Sequence, residues 1–106
     1  MLEKVAPMVL GGDFVVVYAV PTYAKNTEVK KIILCNSNVS TLTVSMNFVP
    51  AKGVPDASNA VLAGNSLEKT LILELAGTAL VPGDTIQAKA SGPGVAIHIS
   101  VDEETD

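Results

Sequence analysis

A chain of 106 residues is one domain, and its formal net charge of −4, carried against seven lysines and no arginine, makes it a poor reader of nucleic acid. Phosphate binding rests on positive charge, and base recognition leans on arginine. Only 17% of residues are charged while 48% are apolar. Average domains carry about 25% charged residues, so part of this apolar excess lies on the surface and points to a protein partner. The chain is long enough for a single core without disulfides. Its lone cysteine, Cys35, has no internal partner. No apolar run has the length of a signal peptide or membrane span, so the expected site of synthesis is the cytoplasm and no membrane contact is expected.

Pro7 excludes a central strand from Met1–Leu10, because proline gives no donor to the ladder; an edge strand or an arm lying on a neighbour fits. Gly11-Gly12-Asp13 is a turn. Asp13–Val20 reads as a strand with Phe14, Val16, Tyr18 and Val20 on one face and Val15, Val17 and Ala19 on the other. Both faces are apolar, which predicts a central strand or a second face against another subunit. Pro21 ends it. Val29–Cys35 follows, with Ile32, Ile33, Leu34 and Cys35 apolar in succession, the pattern of a strand covered on both faces. After the turn Asn36-Ser37-Asn38, Thr41–Val49 alternates cleanly, with Leu42, Val44, Met46 and Phe48 inward and Thr41, Thr43, Ser45 and Asn47 outward.

Pro50–Pro55 is a loop. In Asp56–Gly64, Asp56 suits the cap of one helical turn, and a short strand at Ala60–Ala63 is the competing reading; an irregular stretch with a short strand is preferred. Leu67–Leu75 is a strand with Leu71, Leu73 and Leu75 inward, bounded by Gly77. Pro82-Gly83-Asp84 is a turn. Thr85–Ala90 points Ile86, Ala88 and Ala90 inward. Gly92-Pro93-Gly94 reverses the chain into Val95–Val101, with Val95, Ile97, Ile99 and Val101 inward and Ala96, His98 and Ser100 outward. Asp102–Asp106 reads as a solvated acidic tail.

Seven to eight short strands at this spacing, with no room for crossover helices, predict an all-β fold: an antiparallel β-sandwich of jelly-roll or immunoglobulin-like type. Residues 1–106 form one domain with an N-terminal arm, 1–12, and an acidic tail, 102–106.

The residues that could carry chemistry are few. His98 is the one histidine and Cys35 the one thiol, and nothing in the sequence brings them together. A triad or a zinc site needs more partners. Asp13 and Asp84 follow glycines in turns, which is too little for a calcium loop. Lys25, Lys30 and Lys31 form a basic cluster that reads as a solvated strand entrance or an assembly rim. Asn38-Val39-Ser40 matches a glycosylation sequon in a chain with no export signal. Tyr23 is the one aromatic ring expected in solvent. No dinucleotide fingerprint, P-loop or nucleophile elbow is present. The expectation is a non-enzymatic protein with no catalytic, cofactor-binding or metal-binding residue and no cofactor.

Four segments carry a resemblance. They are Val17-Tyr18-Ala19-Val20-Pro21, then Glu28-Val29-Lys30-Lys31-Ile32-Ile33-Leu34-Cys35-Asn36, then Thr43-Val44 with Val49-Pro50-Ala51, and finally Pro82-Gly83-Asp84-Thr85-Ile86-Gln87-Ala88. In this order, over residues 14–101, the chain resembles small all-β virion proteins of tailed bacteriophages. The resemblance implies a virion structural protein made in the host cytoplasm, a capsid decoration or cement subunit. Its implied partners are other virion proteins, either the major capsid protein or tail proteins, and further copies of itself, as in a trimer. The alternative is a tail or baseplate accessory module that binds a host receptor or glycan through Tyr23 or the Pro50–Gly64 loop. The motifs are structural punctuation and transfer no functional residue.

Overall fold

Two antiparallel sheets pack face to face in a computed structural model that describes residues 2–5 and 7–104. The described residues form nine strands: β1 (Leu2–Lys4), β2 (Met8–Leu10), β3 (Val15–Ala19), β4 (Asn26–Asn36), β5 (Leu42–Val49), β6 (Ala60–Leu67), β7 (Thr70–Leu80), β8 (Thr85–Ala90) and β9 (Val95–Glu104). The larger sheet has the order β1-β9-β4-β7, with β2 also on β9; the smaller has the order β3-β8-β5-β6. From β2 onward every connection crosses between the sheets except the β5–β6 link. That connectivity is a jelly roll, which decides between the two sandwich types the sequence allows.

Alternation builds the core. Ile86, Ala88 and Ala90 of β8, and Val95, Ile97, Ile99 and Val101 of β9, are all buried, as their period of two requires. They close on Ile32 and Leu34 of β4 and on Val44 and Met46 of β5. Burying the valine, leucine, isoleucine and methionine side chains among them stabilises by about 1.5–3 kcal/mol each.

The N-terminal segment forms two short edge strands on β9, interrupted around Pro7; Val5 N–H donates to the Ile99 carbonyl at 2.9 Å. Residues 57–59 make a 3-10 turn capped by the Asp56 carboxylate; the turn closes at Ala60, Gly64 lies within β6, and that strand runs past Ala63 to Leu67, so each reading of the segment holds only in part. Asn47 faces away from the core but is buried beneath this turn, its Nδ2 donating to Asp56 O at 2.8 Å and Asn59 Oδ1 at 2.6 Å. Two chain reversals lock together at one end: Asn38 Nδ2 donates to Pro93 O at 2.6 Å and Ser37 N–H to Gly94 O at 3.1 Å. Gly94 sits at φ 93°, and a Cβ there would lie 2.6 Å from Asn38 Nδ2.

Five expectations need correction. β3 is an edge strand and not a central one, with Val15 and Val16 partly exposed; a bulge between Val16 and Tyr18 places these two on opposite faces. β4 is central, but only its inner face is covered: Ile33 is half-buried and Cys35 is exposed. The strand placed at Leu67–Leu75 is two elements, because β6 ends at Leu67 and β7 begins at Thr70 in the other sheet. β7 then continues past Gly77 to Leu80, held by pairing with β4. The acidic run is not simply a solvated tail. β9 extends to Glu104 against Asn26–Glu28, and Glu103 is 6% exposed; Thr105 and Asp106 lie outside the described residues.

Candidate functional site

Register on the larger sheet assembles an outer face from residues far apart in sequence. Residues directly opposite each other on neighbouring strands share a face. Cys35 on β4 lies opposite Ala96 and Thr70, and Ala96 lies opposite Val9, which makes a first row of small and apolar side chains. Ile33 lies opposite His98 and Ile72, a second row. Lys31 lies opposite Ser100 and Glu74, and Ser100 opposite Lys4, a third and charged row. Val9 is 65% exposed and Ile72 54%. Antiparallel sheets commonly leave one face in water with polar side chains; contiguous apolar side chains on such a face mark a contact surface.

A shallow depression of about 480 Å³ lies in this face, lined by Lys4, Ile33, Cys35, Thr70, His98 and Ser100 with the edge of Ile99. The β4–β9 pairing therefore brings Cys35 and His98 into one depression, a meeting that no motif or spacing foretells. They are diagonal neighbours, roughly 7–8 Å apart by strand geometry. A thiol is activated by a base within hydrogen-bond reach that is itself oriented by a third group. The structure shows no hydrogen bond between the thiol and the imidazole, and no carboxylate among the described residues lines the depression to orient the ring.

The remaining candidates have structural roles. Asp84 Oδ2 accepts from Val81 N–H at 3.0 Å and Oδ1 from Ala51 N–H at 3.2 Å, holding its turn. Asp13 is exposed, and among the described residues no group of three metal-ligating side chains gathers. The basic cluster is partly neutralised, with Lys30 paired to Glu28 at 3.1 Å and Lys31 to Glu74 at 4.0 Å. Asn38 of the sequon is committed to Pro93 and to Asn36 Oδ1. The Tyr23 ring is 67% exposed, but its hydroxyl donates to Glu103 Oε1 at 3.0 Å, fixing it to the body of the domain.

Sequence reasoning missed one polar centre. Glu103 also accepts from Tyr18 Oη at 2.6 Å, and Tyr18 Oη lies 3.1 Å from Thr27 Oγ1. Burial, followed by the hydrogen bond to Glu103, pushes the Tyr18 phenol well above its ordinary range. The cluster joins the two sheets at one end and holds its members in place. A smaller cleft of about 210 Å³ lies on the outer side of the other sheet, between Phe14, Ser45, Asp56 and Lys89. Lys89 Nζ stands 4.7 Å from the centre of the Phe14 ring and covers the cleft's one aromatic surface.

No family model matches the chain, and no curated relative does. Among solved structures, the chain is similar to one described as "Bacillus endospore appendages form a novel family of disulfide-linked pili", with a TM-score of 0.53 and 14% identity over 100% of this chain and 88% of that one. At that identity the likeness speaks to fold alone, and it agrees with the two-sheet architecture.

Proposed function

We propose that this chain is a non-enzymatic structural subunit of a multi-copy protein assembly, and that the assembly is the virion of a tailed bacteriophage, where the chain serves as a capsid decoration or cement protein. The observation that carries this reading is the uncovered apolar face of a central strand: Ile33 and Cys35 on β4, flanked by the exposed Ile72 of β7. Two further supports are the phage-like order of sequence segments and a fold similar to that of a pilus structure, itself a repeated protein assembly by its description.

One difference from that description follows from composition. A single cysteine can join two copies and no more, so a disulfide-linked fibre would need more thiols than these residues carry. Disulfides made by these residues therefore do not run along an extended array. Quantitative mass spectrometry of purified phage particles tests the function. The expected result is this chain at many copies per particle, in fixed ratio to the major capsid protein. Its absence from particles, or its presence only in the soluble fraction of infected cells, would overturn the virion assignment.

A further inference from the structure

Resting on the reading of this chain as an assembly subunit, we propose that the outer face of the larger sheet is an interface between two copies of the chain, packed face to face about a two-fold axis that runs along β4. A symmetric pair uses the same patch on both sides, so the patch must complement itself. Rotation about an axis along β4 exchanges the β7 side with the β9 side and keeps the three rows in register. Ile72 then lies over His98 of the partner subunit. Ile33 and Cys35 lie over their own counterparts. In the charged row, Glu74 comes over Ser100 of the partner subunit, between the partner's Lys31 on one side and the partner's Lys4 on the other. Lys31 falls on the axis and faces Lys31 of the partner subunit, a like-charge contact offset by the two Glu74 carboxylates, each 4.0 Å from the Lys31 of its own chain. The other in-plane axis, perpendicular to the strands, would set Glu74 and both lysines against the row of Cys35 and Ala96, leaving charges desolvated without partners.

Area agrees with a pair of modest strength. Four strands at 4.7–4.9 Å spacing and three rows give a patch of about 20 Å by 20 Å on each copy. Two such patches bury about 800–1,000 Å², below the roughly 1,200 Å² of a stable specific interface and in the range of transient contacts, so pairing is weak in dilute solution and is reinforced when copies are held on one particle. Packed sheets stand about 10 Å apart, beyond the reach of a disulfide between the two Cys35 residues, whose Cα atoms would have to come within about 7 Å. A short bis-maleimide spans that gap.

Sedimentation velocity from micromolar to millimolar protein tests the pairing, alongside bis-maleimide treatment under reducing-agent-free conditions. The expected result is a shift from the 10.9 kDa monomer toward twice that mass, with a cross-linked pair that Cys35→Ser abolishes. Ile72→Lys should hold the chain monomeric. Glu74→Lys and Lys4→Glu should each weaken pairing, and the double substitution should restore it, which a folding defect would not do. A monomer at every concentration, a three-fold species, or a pair indifferent to Ile72→Lys and to the charge reversals would overturn the proposal. If the chain is monomeric yet abundant in purified particles, the pairing fails and the subunit reading survives.

Discussion

The Tyr18 hydroxyl donates to Glu103 Oε2 at 2.6 Å, tying the edge strand of one sheet to the last strand of the other across 85 residues of sequence. Tyr23 and Tyr18 together supply two donors to this nearly buried carboxylate. Hydrogen bonds to charged groups contribute about 1.5–3 kcal/mol, and a buried acceptor left short of a donor costs about as much. Tyr18→Phe should therefore destabilise the fold by about 2 kcal/mol in urea titration, with the m-value unchanged. Tyr23→Phe, at a more exposed position, should cost less.

The same pair predicts a pH dependence. The folded protein holds the Tyr18 proton more tightly than the unfolded chain does. Its contribution is thus fully present below the unfolded phenol pKa of about 10 and is lost as pH rises above it, because the unfolded state releases the proton first. In a Tyr23→Phe background Tyr18 is the one remaining tyrosine. Its phenolate absorbance should appear only above the range of free tyrosine, together with unfolding. Ionisation near pH 10 in a still-folded protein would contradict the geometry.

Adjacent residues on β4 should behave oppositely. Ile32 is fully buried in the core, whereas Ile33 is on the outer face. Ile32→Ala should cost about 2–5 kcal/mol, the range for emptying a core site. Ile33→Ala in dilute solution should cost about 1 kcal/mol or less. Thermal denaturation of the two variants checks this, and equal losses would mean that the outer face is packed within the monomer.

Gly94→Ala should also be costly. Its positive φ disfavours any residue with a Cβ by about 1–2 kcal/mol, and the added methyl would meet Asn38 Nδ2. A fall in Tm of roughly 5–15 °C is expected. A methyl added at Gly12 would point into open space, and the backbone there has no positive φ, so Gly12→Ala should shift Tm little.

How much of this was legible in the sequence depends on bulges and on pairing at a distance. β8 and β9 keep a strict period of two through Ile86–Ala90 and Val95–Val101, and their inner faces follow directly. β3 does not, because its bulge near Val17 resets the alternation, and a bulge leaves no mark in a run of valines. The apolar run Ile32–Cys35 does signal a central strand, but a side chain covered by the same chain and one covered by a neighbour look identical in sequence. Glu103 sits in a run of charges, and only Tyr18 and Tyr23, distant in sequence, show why it is buried. The meeting of Cys35 with His98 likewise depends wholly on the β4–β9 register.

Contact through the outer face of its larger sheet is the role proposed for this domain. An electron cryo-microscopy reconstruction of the native assembly tests it most directly. Repeated copies are expected, with Ile33, Cys35 and Ile72 covered by a protein neighbour. Solitary copies with that face open to solvent, or closed over a small molecule, would contradict it.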